Sequence, residues 1–284
     1  MPPLLKIRSE REQMSAIERR IADFILDNTH LLRDYSSLQL ASALGISQSS
    51  VVKFSQKLGF KGYPDLKYSI GAAVARAGNG NGGVTQWPPE TDPHGYLHVA
   101  ENLRRSKAAA EEETCIANPR QEVEAVIALI DAAPKVFVYG IGDDGLYARE
   151  FAMRLALLGI LTVQHVDLIL MTANLSAARA DDVLLVFSEF GKLPQLWQLS
   201  RRFQAMGGKV VSITRHTANP LRAHADAALA ICAHDPQPPV AQLLYRSSLQ
   251  YLLDFVFVLL CQANPDRQSQ LALNQEHIQQ LIDN

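Results

Sequence analysis

The chain has 284 residues, of which 48% are hydrophobic and 20% charged, and these proportions exclude a disordered or fibrous protein. Its net charge of −2 conceals an asymmetry, because residues 1–76 contain 11 basic and 7 acidic side chains while the remainder contains 16 basic and 22 acidic. A basic N-terminal part followed by an acidic body predicts a nucleic-acid partner for the first part only. The length allows two domains.

Several other classes are not favoured. No apolar run follows Met1, so we expect no signal peptide, and the apolar run Phe255–Cys261 is too short to span a bilayer. Cys115, Cys232 and Cys261 lack paired spacing, which is typical of reduced thiols in a cytoplasm. The eight histidines form no pattern of metal ligands. We therefore expect a cytoplasmic protein without a metal site.

The N-terminal residues predict a chain of short helices. Leu4 to about Met14 is the first, and Ser15 then begins a helix over Ala16–Asp27, with Glu18 completing a capping box. We expect a short turn or helix over residues 29–35, and a final helix over Asp65–Arg76 after a turn at Lys61–Pro64.

Residues 36–63 have the pattern of two helices joined by a tight turn. The first carries an apolar face that we assign to Leu38, Leu40, Ala41 and Leu44, and Gly45 ends it. Ser47 is the candidate N-cap of a second helix from Gln48 to about Leu58. The spacing predicts that this second helix buries Val51, Val52, Phe54, Ser55 and Leu58.

The opposite face of the second helix is entirely polar and contains no acidic residue. Short hydrogen-bonding side chains at its start can reach base edges in a DNA major groove, and lysines further along can meet phosphates. An ordinary helical hairpin is the alternative interpretation. The predicted DNA-binding residues are Ser47, Gln48, Ser49, Ser50, Lys53, Lys57, Lys61 and Tyr63, with Lys67 as a further phosphate contact.

The glycine- and proline-rich stretch 78–95 predicts a linker, which divides the chain into domains 1–77 and 96–284. The second domain begins with helices over Tyr96–Ala117 and to about Ala132. Apolar strands then alternate with helices, which predicts an α/β domain with a five-stranded parallel sheet covered on both faces. The predicted strands are 135–139, 161–165, 182–188, 209–214 and 227–232, followed by helices over 240–262 and 267–282.

Ligands of such sheets bind beyond the C-terminal ends of the strands. Two loops lie there, Gly140–Gly145 after the first strand and Ser188–Leu193 after the third. The Gly140-x-Gly142 pair lacks the third glycine and the acidic residue of a dinucleotide site, so no nucleotide cofactor is expected.

Three segments carry a resemblance to a known family: ISQSSVVKFSQKLGFKGYPDLK, LLVFSEFG and VVSITRHTANPLRAHAD. Together they resemble the RpiR/MurR family of bacterial transcriptional regulators, which join a helix-turn-helix domain to a sugar isomerase (SIS) domain. The resemblance covers nearly the whole chain. It implies a dimer or tetramer, operators of double-stranded DNA with twofold symmetry, and a phosphosugar effector in the SIS domain.

The effector loops depart from the family pattern, which is Gly-x-Gly-x-Ser in the first loop and Ser-x-Ser-Gly-x-Thr/Ser in the second. Here the serine of the first is Asp144, and the last two hydroxyl residues of the second are Phe190 and Leu193. An ionised carboxylate about 4 Å from a phosphate repels it by about 1–4 kcal/mol in a surface-like dielectric. The implied ligand-binding residues are Gly140, Gly142, Asp143, Asp144, Ser188, Glu189 and Gly191.

Two interpretations of the altered loops remain open. Asp143 and Asp144 can accept bonds from sugar hydroxyls or an amine, giving a non-phosphorylated or cationic effector, or the pocket is vestigial and the domain only dimerises. A rival function is a sugar-phosphate isomerase, with Glu189 or Glu150 as the base and His216, His224 or His234 as partner. No pair of these has a defining spacing, so we expect no catalytic residue and a regulator rather than an enzyme.

Overall fold

The computed structural model describes residues 2–28, 32, 35–79, 95–235 and 238–283. These residues form two compact units, Met1–His98 and Val99–Asn284.

The first unit is entirely helical in its described residues. A 3₁₀ turn over Arg11–Gln13 follows its first helix. The helices are α1 (Pro3–Glu10), α2 (Ala16–Asp27), α3 (Ser37–Leu44), α4 (Gln48–Lys57) and α5 (Tyr63–Asn79).

Side-chain caps determine where these helices begin. Ser15 and Glu18 form a reciprocal capping box at the start of α2, as predicted, and Ser36 and Gln39 form a second one at the start of α3. Gly45 ends α3 in the left-handed conformation, with φ +60°. The Ser15–Glu18 box and the Gly45 end were predicted because each depends on residues only a few positions apart, whereas the Ser36–Gln39 box was not predicted.

One apolar core joins all five helices. Its largest buried side chains include Ile21 and Ile25 of α2, Leu40 of α3, and Phe54 of α4. Val51, Phe54 and Ser55 of α4 are buried in this core, and the polar face of the helix therefore points outward.

Some predictions for this unit were wrong in detail. The first helix ends at Glu10, and the last begins at Tyr63 because Pro64 at a first-turn position favours the helix rather than a preceding turn. Leu38 is 64% exposed and does not belong to the apolar face of α3. Most of the predicted segment 29–35, and residues 80–94 of the predicted linker, lie outside the described residues.

The second unit is an α/β domain. Its helices are α6 (Tyr96–Ala117), α7 (Arg120–Ala132), α8 (Asp143–Leu157), α9 (Leu168–Leu175), α10 (Pro194–Ala205), α11 (Pro220–His224), α12 (Pro238–Ala263) and α13 (Pro265–Ile282). Its strands are β1 (Val136–Gly140), β2 (Thr162–Gln164), β3 (Val183–Phe187), β4 (Lys209–Arg215) and β5 (Ala227–Ile231).

The five strands form one parallel sheet in the order β2-β1-β3-β4-β5, which confirms the predicted fold class. Alternate residues of a strand face opposite sides of the sheet. Val136 and Val138 of β1 accordingly pack with α7, α8 and α12, whereas Phe137 and Tyr139 pack with α9 and α10. The strand order reverses between β1 and β3, and the loops that leave these two strands diverge there.

Two features of this unit differ from the sequence predictions. Helix α8 begins at Asp143, within the predicted loop Gly140–Gly145, so both aspartates belong to its first turn. Helix α12 is long and apolar enough, by length and composition alone, to cross a membrane, although the run Phe255–Cys261 is not. Its side chains Leu249, Leu252 and Leu253 are fully buried in the core, which accounts for the apolar composition.

The turn before α4 provides a test of the fold. Nothing lies within 4 Å of a Cβ added at Gly45, so Gly45→Ala acts only through the left-handed backbone, and we expect a loss of about 1 kcal/mol. Gly71 in α5 has equally open surroundings and no positive φ, so Gly71→Ala should stabilise by about 0.5–1 kcal/mol. Urea denaturation of both variants measures the difference, and equal effects would contradict this assignment.

Candidate functional site

Helix α4 presents a continuous polar face to solvent. Gln48, Ser49, Lys53, Gln56 and Lys57 are exposed, and the first turn contains no acidic residue. A helix with this face is suited to approach a polyanion, because neither its side chains nor its positive N-terminal end opposes phosphate.

The small polar side chains at the start of α4 are held in a hydrogen-bond network. The Ser47 hydroxyl accepts from the Ser50 N–H at 3.2 Å and lies 2.9 and 2.8 Å from the hydroxyls of Ser49 and Ser50. The Gln48 amide donates to the Ser37 hydroxyl of α3 at 2.9 Å. These hydrogen bonds favour one arrangement of the side chains at the start of α4.

The predicted phosphate contacts fall into different groups. Lys53 and Lys61 are exposed. The Lys57 ammonium instead lies 2.9 Å from the Glu18 carboxylate, and this hydrogen bond, together with that from the Ser15 N–H, lowers the pKa of Glu18. A DNA phosphate must therefore compete with Glu18 for Lys57.

Tyr63 does not lie on this surface. Its side chain is 2% exposed, its hydroxyl donates to the Tyr35 carbonyl at 3.1 Å, and burial raises the pKa of Tyr63 to about 12. The Lys67 ammonium donates to the same carbonyl at 3.0 Å. The predicted phosphate contact by Tyr63 is corrected to a packing role, because a side chain at the start of α5 points into the core.

In the α/β unit, β1 and α8 meet at very close range. A Cβ added at Gly140 would lie 2.7 Å from the Asp144 carbonyl oxygen, so only glycine allows this approach. Gly142 precedes α8 with φ +65°. The two glycines therefore place Asp143 and Asp144 directly beyond the end of β1.

Asp144 is bonded within the protein. Its carboxylate accepts hydrogen bonds of 2.8 Å from the Glu189 N–H and from the Tyr245 hydroxyl. Burial raises the pKa of Asp144, while these two hydrogen bonds act in the opposite direction. Asp143 pairs with Arg246 on the surface.

The loop after β3 is anchored by Arg215. The guanidinium donates to Glu189 at 2.9 and 2.5 Å and to the carbonyls of Ala233 and Ala241, and it lies over the rings of Phe190 and Tyr245. The Arg215 and Glu189 side chains are 15% and 21% exposed. This ion pair therefore holds the loop against the sheet.

Ser188 and Gly191 complete the same loop. The Ser188 hydroxyl accepts from the Gly191 N–H at 3.1 Å. Gly191 has φ +62°, and an added Cβ would lie 2.0 Å from the amide oxygen of Asn219, so no larger residue fits. The structure thus joins Asp144, Ser188, Glu189 and Gly191 in one internally bonded cluster.

A cavity of about 430 Å³ opens beside this cluster, where the loops from β1 and β3 diverge. Gly140 and Gly142 line it, whereas the five other predicted ligand residues do not. The other lining residues are Tyr139, Ile141, Gly145, Leu146, Arg149, Val166, Asp167, Leu168, Leu193 and Gln195.

Sequence reasoning missed Arg149, Asp167 and Gln195. Placing the start of α8 at Asp143 would have put Arg149 one turn beyond Gly145, on the same helix face. Within the described part of the chain, no three His, Cys, Asp or Glu side chains cluster as metal ligands do.

Comparisons with known proteins agree with this architecture. The helix-turn-helix domain of the rpiR family matches residues 1–77, and the SIS domain matches residues 128–257. The uncharacterized HTH-type transcriptional regulator YfhH of Escherichia coli K12 is 30% identical over 269 residues, covering 92% of this chain and 93% of the relative. The chain belongs to the RpiR family. It is a helix-turn-helix and SIS transcriptional regulator.

Solved structures of other proteins share the fold. The NanR protein of Vibrio vulnificus, solved with ManNAc-6P, aligns over 99% of this chain and 100% of its own, with 20% identity and a TM-score of 0.60. The sugar isomerase domain of an RpiR transcription factor from Sphaerobacter thermophilus covers 64% of this chain and 98% of its own, with 19% identity and a TM-score of 0.53.

The Arg215–Glu189 pair predicts a large stability effect. Arg215→Met leaves the Glu189 carboxylate without its partner in a largely buried position, and we expect a loss of about 3–5 kcal/mol. The matched control is Arg120→Met, which breaks a pair whose side chains are 90% and 55% exposed and should cost under about 1 kcal/mol. Chemical denaturation tests this, and similar losses in both variants would refute the anchoring role.

Proposed function

We propose that this RpiR-family regulator reads a specific DNA sequence with α4 and responds to a sugar-derived metabolite in its SIS domain. The organisation proposed is a DNA-binding domain over residues 1–77, a linker over 78–95 and an effector and oligomerisation domain over 96–284, in a cytoplasmic dimer or tetramer. Gln48, Ser49 and Ser50 contact bases, and Lys53, Lys57 and Lys61 contact phosphate.

The observation that carries the DNA proposal is the composition of the first turn of α4. The third residue of α2 is Glu18 and that of α3 is Gln39, and each completes a capping box. The corresponding residue of α4 is Ser50, next to an exposed face without acid. A glutamate there would stabilise the helix, and its absence is explained if this end approaches a polyanion.

The effector proposal rests on the cavity and on its place in the fold. It lies beyond the C-terminal ends of β1 and β3, where open α/β sheets bind ligands. The solved NanR structure, which shares the fold, contains ManNAc-6P. A sugar-derived metabolite is therefore the ligand class we propose for this cavity.

Catalysis is not part of the proposal. Both acids considered as an isomerase base are engaged, Glu189 by Arg215 and Glu150 by Arg154. Burial, reinforced by Arg222, lowers the pKa of His216 to about 4, so it is neutral and a weak base. Turnover of hexose or pentose phosphates by the purified protein would contradict this.

Ser50 gives a direct test of the DNA proposal. Ser50→Glu and Ser50→Gln both create a capping box with Ser47 and should preserve or raise the melting temperature. Both substitutions remove the base contact of Ser50, but only the glutamate adds a negative charge opposite DNA. Ser50→Glu should therefore abolish binding to the preferred sequence selected from a random library, whereas Ser50→Gln should only weaken it. If both variants bind that sequence as tightly as the wild type, α4 does not enter the groove.

Lys53 tests the phosphate contacts. Lys53→Ala should weaken binding to selected and random DNA alike and reduce the slope of log affinity against log salt by about 0.9. Arg120→Ala, which removes an exposed cation in the α/β unit, is the control and should leave the slope unchanged. A wild-type protein with equal affinity for both DNAs would instead be a non-specific binder.

A further inference from the structure

We infer that the effector carries a single negative charge, a carboxylate rather than a phosphate, and that Arg149 binds it. This inference rests on the proposed function and names the ligand class of the same cavity. It is based on the charges and hydrogen-bond donors around the cavity.

The loop after β3 already holds an anion from the protein itself. The Asp144 carboxylate accepts the Glu189 N–H at 2.8 Å, and the Ser188 hydroxyl accepts the Gly191 N–H at 3.1 Å. A ligand anion at this loop would have to displace both groups and would meet the charge of Asp144. The Tyr245 hydroxyl, also 2.8 Å from Asp144, holds that carboxylate in place.

The two arginines near this loop also have partners within the protein. Arg215 is bonded to Glu189 and to two backbone carbonyls, and Arg246 is paired with Asp143. Neither guanidinium lines the cavity. A phosphate at the loop would therefore have to draw one of them from its present partner.

Arg149 has a different position. It is the one basic residue among the described lining residues, its side chain is exposed, and the described part of the chain shows no ion pair or hydrogen bond for it. A guanidinium presents two parallel donors that match the two oxygens of a carboxylate. Arg149 is therefore available to bind an acid inside the cavity.

The remaining lining limits the charge that a ligand can carry. Asp167 also lines the cavity, and its carboxylate caps α9 through the Leu170 N–H at 2.8 Å. A phosphate monoester carries a charge of about −1.5 to −2 at pH 7, against −1 for a carboxylate. With one cation and one acid among its described lining residues, the cavity favours the monoanion.

The lining also favours a ligand with apolar surface. Ile141, Leu146, Val166, Leu168 and Leu193 contribute apolar side chains. The C–H face of a sugar ring packs against such side chains, while Gln195 can bond a hydroxyl. A sugar acid meets both requirements.

Matched sugar pairs test the inference by thermal shift. Glucuronate, galacturonate and mannuronate differ from glucose, galactose and mannose 6-phosphate at carbon 6, which is the carboxylate carbon in the first set and carries a phosphate ester in the second. At least one uronate should raise the melting temperature of the wild-type chain, and the three phosphates should not. Asp144→Ser should then acquire a shift with a phosphate.

Arg149→Gln should abolish the uronate shift. Arg202→Gln is the matched control, because Arg202 is an exposed arginine on α10 that does not line the cavity. Far-ultraviolet circular dichroism and the melting temperature without ligand verify that both variants fold. The inference is overturned by an undiminished uronate shift in Arg149→Gln, by a wild-type phosphate shift equal to that of its uronate, or by no shift with any uronate.

Selection of DNA from a random library, carried out in parallel, separates the two proposals. If the wild-type chain selects a sequence and a phosphate ester stabilises it, the regulatory function stands and only the ligand class is wrong. If it selects no sequence, the proposed function fails whatever the sugars do.

Discussion

The close contact between Gly140 and the first turn of α8 determines the rest of the α/β site. With no Cβ at Gly140, the Asp144 backbone approaches the end of β1 to a distance that any other residue would prevent. From there the Asp144 carboxylate reaches Glu189, which follows the neighbouring strand β3. The hydrogen bond closes the cluster on one side and leaves the cavity on the other. A small change in this contact would move the acid, the loop and the cavity wall together.

In the helix-turn-helix unit, one capping residue also connects two helices. Glu18 caps its own helix through Ser15 and also pairs with Lys57 of α4, so it links the start of α2 to the end of α4. Helix α4 begins with serines whose hydroxyls bond one another and with Gln48 bonded to Ser37. Side chains that already form such hydrogen bonds lose less conformational entropy on binding than unbonded ones.

Local signals made much of this fold predictable. Ser15, Ser47 and Gly45 act within a few residues of their own position, and the apolar runs of the five strands are strong enough to define a parallel sheet. The start of α8 was predicted three residues late, because Gly145 reads locally as a loop residue although it lies inside the first turn. Tyr63 was misassigned for a similar reason, since its burial depends on the core that α5 joins.

The ligand residues were less predictable because their roles depend on contacts far apart in the chain. Tyr245 is 101 residues from Asp144, and Arg215 is 26 from Glu189. From sequence, Asp144 is an unpaired acid that repels a phosphate. In the structure it is a bonded acid that accepts the Glu189 N–H. Both descriptions disfavour phosphate. Only the structure shows that Arg215 and Arg246 are paired with acids of the protein, whereas Arg149, which lines the cavity, has no partner among the described residues. The altered loop is therefore compatible with an intact cavity, and the loss of the serine in the first loop does not by itself make the pocket vestigial.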